Sequence, residues 1–93
     1  MRFEWDAGKA SRNFTKHGVS FDEAIEVFAD PNAVEGYDAV HSVNESRLFI
    51  IGLSSRRLLF VVYTETVHDY VRIISARKAT QAEHKIYERR INR

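Results

Sequence analysis

The chain has 93 residues with a formal net charge of +1, and it contains 44% hydrophobic residues, 29% charged residues, one proline and no cysteine. This length suits a single domain spanning residues 1–93, and the composition is that of a folded globular protein. The lack of cysteine excludes disulfides, thiolate catalysis and cysteine-ligated zinc. We find no signal-like N-terminus and no apolar run long enough for a membrane span, so we expect a cytoplasmic protein without a membrane partner.

The first half of the sequence predicts one strand and two helices. The alternation in MRFEW is typical of a short strand. Asp6 is a predicted N-cap for a helix over 7–17, and Gly18 is a predicted stop. The capping-box pattern SFDE at 20–23 begins a second helix that ends at about Ala29. Residues 32–46 are polar, and we predict an irregular segment with a short strand near 34–37.

The second half predicts three strands and a basic helix. The strands cover about 47–53, 58–65 and 70–76, and the turns SSRR and TVHD are typical of antiparallel hairpins. TQAE at 80–83 is a second capping box, which opens a helix to about residue 91. The predicted fold class is α+β, with helices packed on a small, mostly antiparallel sheet in the order β-α-α-(β)-β-β-β-α.

A four-residue turn sets a register for the last hairpin in which Tyr63 lies opposite Arg72. Paired residues share a face of the sheet, so this register puts Tyr63 beside Arg72 on a semi-polar face. The opposite face, under the helices, would carry Phe49, Ile51, Phe60, Val62, Val71 and Ile73. A slip of one residue would reverse these faces.

Charge is unevenly distributed along the chain. Residues 1–46 carry four basic and nine acidic side chains, whereas residues 72–93 carry seven basic and two acidic ones. The basic end could attract a polyanion, and a chance division of surface charge is the alternative.

Several kinds of catalytic site are not indicated. The histidines fall in four different segments without an HExxH pattern, at His17, His41, His68 and His84. DAVHSVNE at 38–45 offers carboxylates and an imidazole but is more typical of a solvated loop. There is no glycine-rich phosphate loop and no GxSxG elbow. We therefore predict no metal and no cofactor.

Basic residues of the second half form the main candidate site. Guanidinium groups bind phosphate oxygens in a bidentate manner, and the start of the last helix attracts anions. Arg47 is expected near Thr64 of the next strand. The alternative is a set of surface ion pairs with Glu65, Glu83 and Glu88. The candidates are Arg72, Arg77 and Lys78 at the end of the last strand, Arg47 at the start of the first long strand, and Lys85, Arg89 and Arg93 along the last helix.

His17 and Tyr63 each allow two interpretations. His17 ends the first helix, where the dipole favours its protonated form and where it could act as a general acid or base. Its spacing with Phe14 and Ala10 also fits a packing role. Tyr63 is either an ordinary sheet aromatic or a hydroxyl beside a guanidinium.

Several segments together resemble the BrnT toxins, the toxin half of bacterial BrnT/BrnA type II toxin–antitoxin systems. They are FEWD at 3–6, KHGVSFDEA at 16–24, the strand pair RLFIIG and LLFVVYTE, and RIISARKAT at 72–80. The resemblance covers nearly the whole chain, and KHGVSF and RIISAR are its most specific parts. It implies a RelE-like fold and a ribonuclease activity that inhibits translation. It also implies a partner, the ribbon-helix-helix antitoxin BrnA, whose complex with the toxin binds operator DNA.

The resemblance carries over Lys16, His17, Arg47, Arg72 and Arg77 as functional positions. For a metal-independent endoribonuclease, we predict that Arg72 and Arg77 hold the scissile phosphate and that Arg47 assists. The predicted acid–base residues are His17, Tyr63 and Glu65, in falling order of preference. The predicted RNA-binding residues are Lys16, Lys78, Lys85 and Arg89. The alternative function is a non-catalytic basic module that binds nucleic acid or a protein partner.

Overall fold

The computed structural model describes residues 1–39, 42 and 45–92, so the predictions for His41 and Arg93 lie outside the described residues. Within these ranges the α+β class is confirmed, and no helix is long and apolar enough to cross a membrane. The strands are β1 Arg2–Glu4, β2 Val34–Tyr37, β3 Leu48–Leu53, β4 Leu58–Glu65 and β5 Tyr70–Lys78. The helices are α1 Ala7–His17, α2 Phe21–Ala24 and α3 Gln81–Ile91, and a 3₁₀ turn over Ile25–Ala29 continues α2.

The five strands form one mixed sheet in the order β1-β5-β4-β3-β2. The strands β2 to β5 are joined in antiparallel pairs, and the two hairpins predicted from the turns SSRR and TVHD are confirmed. β1 pairs in parallel with β5, from which two helices, the 3₁₀ turn and three strands separate it in the chain.

Helix ends follow the local sequence signals. Asp6, Ser20 and Thr80 each accept a hydrogen bond from the backbone N–H three residues further on, which confirms the predicted N-caps. Glu83 completes a capping box with Thr80. Gly18 ends α1 in the left-handed conformation, at a φ of 70°.

One side of the sheet, here called the helix-covered face, packs against α1, α2 and the 3₁₀ turn. Fully burying one such apolar side chain contributes about 1.5–3 kcal/mol, so this core supplies much of the stability of the domain. Its buried members are Val19, Phe21, Ala24 and Val27 from the helical segment and Ile50, Leu59, Val61, Tyr63, Val71, Ile73 and Ala76 from the strands.

Asn13 of α1 closes the edge of β5 beyond its short partner β1, which pairs only as far as Arg72. The Asn13 amide donates to the carbonyl oxygens of Ala76 at 2.9 Å and Val19 at 3.0 Å, and its Oδ1 accepts from the N–H of Ala76 at 3.1 Å. The side chain thus satisfies backbone groups that no neighbouring strand reaches.

The predicted register of the last hairpin is wrong by one residue at its turn. Glu65 pairs with Val71 rather than with Tyr70. The turn is wider than predicted because Asp69 adopts a φ of 65° and the N–H of Thr66 donates to the carbonyl of Tyr70 at 2.9 Å.

A β-bulge shifts the register by a further residue. Tyr63 pairs with Ile73, but Val62 pairs with Ser75, so Ile74 has no partner in β4. Such an extra residue locally changes which side chains point to which face.

The shift at the turn exchanges the faces of β5 before the bulge, and the bulge restores the predicted faces beyond it. Arg72 lies opposite Thr64 instead of Tyr63, and Tyr63 points into the helix-covered face. The prediction of a single apolar face is therefore wrong, because the residues assigned to it lie on both faces of the sheet. Val71 and Ile73 lie in the helix-covered core, whereas Phe49, Ile51 and Phe60 belong to a second cluster on the opposite side.

This opposite side, here called the open face, is covered at one end by α3. Tyr87 of α3 is buried with Ile51 and Leu58, and its hydroxyl donates to Asp30 at 2.6 Å. The rest of the open face carries the side chains that form the candidate site.

Candidate functional site

The open face contains a groove with a volume of about 580 Å³. Its apolar floor comes from β3 and β4, and it has an arginine at each end. Arg47 directly precedes β3 and lies next to Thr64 of β4. Arg77 of β5 lies opposite Phe60, which is four residues from Thr64 along β4. The backbones of the two arginines therefore lie about 13 Å apart along the strand direction. The lining residues are Tyr37, Asp38, Ala39, Arg47, Phe49, Phe60, Val62, Ser75 and Arg77.

Arg47 has unused hydrogen-bonding capacity. The predicted position next to Thr64 is confirmed, since the Thr64 hydroxyl donates to the carbonyl of Ser46 at 2.9 Å. Within the described part of the chain, the Nε of Arg47 is buried without a hydrogen bond, and its one ion pair is a long contact of 3.9 Å with Glu45. A buried donor without an acceptor costs about 1–3 kcal/mol, so a bound acceptor would be stabilised here.

Arg77 is held by a bidentate ion pair. Its Nη1 and Nη2 donate to the two carboxylate oxygens of Glu83 at 2.8 and 2.9 Å. The hydrogen bonds with Glu83 raise the pKa of Arg77 against the opposing effect of burial. Burial raises the pKa of Glu83, but the bonds from Arg77 and Thr80 outweigh it and lower that pKa overall. The predicted ion-pair alternative thus holds for this arginine.

The aromatic floor fixes the position of this guanidinium. The rings of Phe49 and Phe60 stack with centroids 5.3 Å apart, and the Arg77 guanidinium lies 4.3 Å from the centroid of Phe60. A Cβ atom at Gly36 would come within 2.4 Å of the Phe49 ring. Only glycine at this position of β2 leaves room for the stack, so the sequence of β2 contributes to the shape of the groove.

Arg72 is not among the residues that line this groove. The bulge brings it to the open face with Arg77, but Arg72 lines a second depression with Lys9 and Glu45. Its ion pair with Glu4 at 3.6 Å is exposed and contributes little to stability. The structure therefore brings Arg77 together with Arg47, rather than with Arg72 as the sequence predicted.

The predicted acid–base residues do not line the groove either. Tyr63 is 3% exposed and packs edge-on against Phe28. Burial, aided by the charges of Glu35 and Glu65, raises the pKa of Tyr63 to about 12, so the phenol stays protonated near neutral pH. Glu65 ends β4 as the partner of the buried Val71. His17 ends α1, which packs against β5 through Asn13, and it is absent from the lining.

The predicted RNA-binding residues are all exposed but do not converge on one surface. Lys16 lies in the last turn of α1, Lys78 ends β5 as the partner of Leu59, and Lys85 and Arg89 lie on α3. They can raise the local concentration of an anion over the surface of the domain.

Sequence reasoning missed part of the groove. Tyr37 and Asp38 fall in the segment predicted to be mostly irregular, and the role of Ser75 depends on the bulge that precedes it. Glu83 was recognised as a helix cap and as one possible ion-pair partner, but nothing in the local pattern selects Arg77 as its partner.

Comparison of the sequence and the fold with known proteins identifies a family. Residues 5–83 match the model of the ribonuclease toxin BrnT of type II toxin–antitoxin systems. The fold is similar to the crystal structure of the Brucella abortus ribonuclease toxin BrnT, with a TM-score of 0.66 and 25% sequence identity over 87% of this chain and 99% of that one. A search of curated proteins gave no match. Because the family model covers most of the sequence, the chain belongs to the BrnT family of ribonuclease toxins of type II toxin–antitoxin systems.

Proposed function

We propose that this chain is a metal-independent endoribonuclease that cleaves RNA in the groove of the open face and thereby inhibits translation. Its family is one of ribonuclease toxins, which supports RNA as the substrate. The observation that carries the location is the buried Nε of Arg47, which has no hydrogen bond to the described residues, in the same groove as Arg77. Two guanidiniums at the ends of an apolar groove suit the phosphates of an extended strand.

The proposed reaction is attack of an RNA 2′-oxygen on the adjacent phosphorus. The new bond joins the 2′-oxygen to phosphorus, the bond to the 5′-oxygen breaks, and the products are a 2′,3′-cyclic phosphate and a 5′-hydroxyl. Negative charge accumulates on the non-bridging oxygens during this step, and Arg47 and Arg77 would stabilise it. Loss of one such donor typically lowers kcat by about 100- to 1,000-fold.

A proton must leave the 2′-hydroxyl and another must reach the 5′-oxygen. Besides the arginines, the titratable residues that line the groove within the described part of the chain are Tyr37 and Asp38. Tyr37 is 57% exposed and ends β2 as the partner of Leu48, and Asp38 follows it directly. We therefore favour these two groups over His17, Tyr63 and Glu65 for the proton transfers.

Membership of a type II toxin family implies a protein antitoxin. We propose that this partner is a BrnA-type ribbon-helix-helix antitoxin and that the complex of the two proteins binds operator DNA. We also propose that the domain is RelE-like and acts in the cytoplasm. Co-purification of the chain with the product of an adjacent small gene, followed by operator binding, would test the partner.

The activity is tested with end-labelled RNA in excess EDTA. We expect cleavage by the wild type and a loss of at least about 100-fold in an Arg47→Ala/Arg77→Ala double variant. Arg72→Ala is the matched control, because it removes an open-face guanidinium outside the groove, and it should retain most of the activity.

Each other outcome has a definite meaning. Equal cleavage by wild type and double variant would place the activity elsewhere or in a contaminant. Cleavage that appears only when magnesium replaces EDTA would contradict metal independence. RNA binding without cleavage under every condition, including programmed ribosomes, would favour the non-catalytic binding module.

A further inference from the structure

The Arg77 guanidinium carries five N–H donors. Two of its edges can each bind a carboxylate or phosphate through two parallel N–H groups, and Glu83 binds only one of these edges. The end-on edge, formed by Nη1 and Nη2, donates to both oxygens of Glu83. Nη1 also donates to the carbonyl of Lys78 at 3.2 Å. The side-on edge consists of Nε–H and the second hydrogen of Nη2. It has no hydrogen-bond partner among the described residues, although Arg77 lines the groove.

Glu83 is itself fixed in place. Its Oε1 accepts from the N–H of Thr80 at 2.8 Å, and its own N–H donates to the Thr80 hydroxyl at 3.2 Å. Its side chain is 13% exposed, compared with 35% for Arg77. With Phe60 against the guanidinium plane, Arg77 cannot turn its side-on edge away from this position without breaking several contacts.

We propose that Glu83 is a positioning residue of the nuclease site. It binds the end-on edge of the Arg77 guanidinium and so orients the side-on edge toward a phosphate in the groove. This inference rests on the proposed ribonuclease function. Two non-bridging phosphate oxygens match two parallel N–H donors, as in other arginine–phosphate pairs. The carboxylate does not touch the substrate and acts only through Arg77.

Steady-state kinetics of Glu83→Gln test the proposal. Gln keeps the size of the side chain and can still accept from Thr80, but it cannot grip the guanidinium with two oxygens. We expect kcat to fall by about 10- to 100-fold, as for other small misplacements of a reacting group. KM should stay constant or fall, because a negative charge next to the groove is removed.

Two other roles for Glu83 predict different results. If Glu83 merely competed with RNA for Arg77, its removal would raise kcat/KM. If it only anchored α3, kcat would not change at a temperature where the variant is folded. Either result would overturn the proposal.

Thr80→Ala is the matched control. It removes the hydroxyl that caps the same helical turn but leaves the carboxylate of Glu83 in place. We expect a loss of thermal stability with kcat close to that of the wild type. An equal fall of kcat in Thr80→Ala and Glu83→Gln would mean that helix capping matters and positioning does not. In an Arg77→Ala background, Glu83→Gln should cause no further loss, because its effect passes through Arg77.

A readout without cleavage separates this proposal from the proposed function. The Nε–H resonance of Arg77, assigned with Arg77→Lys, is followed while a 2′-O-methyl oligoribonucleotide is added. A shift in the wild type that is lost in Glu83→Gln supports positioning, even if no RNA is cleaved and the nuclease proposal fails. Cleavage with equal kcat in both proteins overturns positioning alone. No shift and no cleavage in the wild type overturn both.

Discussion

Two arginine–glutamate pairs in this domain have similar distances but use different edges of the guanidinium. In the first pair, Nε and Nη2 of Arg57 donate to the two oxygens of Glu23 at 3.0 and 2.8 Å, which occupies the side-on edge. Nη2 also donates to the carbonyl of Gly18 at 2.9 Å. In the second pair, Glu83 occupies the end-on edge of Arg77, a groove-lining residue, and leaves the side-on edge without a hydrogen bond to the described residues.

The carboxylate of the first pair is also more buried than that of the second and has a further hydrogen-bond donor from the β3–β4 turn. Glu23 is 6% exposed and also accepts from the hydroxyl of Ser54, so the first pair joins α2 to the β3–β4 turn. The hydrogen bond from Arg57 is the main reason why the pKa of Glu23 lies below its usual value. A bidentate arginine–carboxylate pair can therefore link two elements of the fold or orient a guanidinium for binding, depending on which edge of the guanidinium the carboxylate leaves unoccupied.

The largest expected effect on stability is that of Glu23→Ala, which breaks the structural pair. It leaves Arg57 without its carboxylate, and we expect a loss of about 2–3 kcal/mol in the free energy of unfolding, because Arg57 is partly exposed and can be solvated again. Urea unfolding measures this loss. Glu83→Ala should cost only about 1 kcal/mol, mainly from the lost cap. Similar losses of stability in both variants, or similar losses of activity per folded molecule, would remove the distinction between the pairs.

The next effect concerns the stack that supports Arg77. Gly36→Ala would place a methyl group against the Phe49 ring. We expect a loss of about 1–3 kcal/mol from overpacking, together with reduced RNA cleavage, as measured by urea unfolding and by the EDTA assay. Gly8→Ala in α1 is the control, because its new methyl group would lie away from the stack, 3.2 Å from the capping carboxylate of Asp6 and 3.3 Å from the Arg12 side chain, and alanine favours a helix. Full activity in Gly36→Ala would show that the stack does not position Arg77.

Acid should weaken both pairs. The pKa values of Glu23, Asp30 and Glu83 are lowered in the folded state, in Asp30 because hydrogen bonds outweigh burial. A lowered folded-state pKa contributes stability above the unfolded-state pKa, and this contribution is lost as the pH falls through the folded value. We therefore expect the free energy of unfolding to fall below about pH 4.5, the ordinary value for Glu. Urea titrations at several acidic pH values in Glu23→Gln should show a shallower fall, and an identical fall would contradict the assigned cause.

The smallest effect is expected for Tyr63→Phe. The phenol lies in the helix-covered core, so its loss should leave kcat unchanged and alter stability by about 1 kcal/mol or less. Tyr37→Phe, which removes the hydroxyl of a residue that lines the groove, is the informative partner and should lower kcat if that hydroxyl transfers a proton. A large fall of kcat in Tyr63→Phe alone would restore the acid–base role predicted from the sequence.

The sequence predicted features that depend on local chemistry. The N-caps at Asp6, Ser20 and Thr80 were identified because each cap and its partner lie within one turn. The location of Arg47 followed from a short hairpin. The faces of Tyr70–Ile73 could not be predicted, because the wide turn at Asp69 moves the register by one residue and the unpaired Ile74 ends that one-residue offset.

The sequence predicted some of the residues that line the candidate groove but not most of them. Arginines near the end of the last strand pointed to an anion site, and Arg77 lies in the groove. The link between Arg77 and Glu83 joins β5 to α3, and the orientation of such a link depends on tertiary packing rather than on spacing. Conversely, Tyr63 was included in the predicted site because the predicted register wrongly placed it opposite Arg72.

The contacts of Asn13 also bear on the solubility of the domain. A strand edge with unpaired backbone groups is a template on which a second molecule can add a strand, and this is a common start of aggregation. By bonding both the N–H and the carbonyl of Ala76, the amide of Asn13 imitates a strand one residue long. One side chain on a helix thus blocks intermolecular pairing at a sheet edge that would otherwise need another strand to cover it.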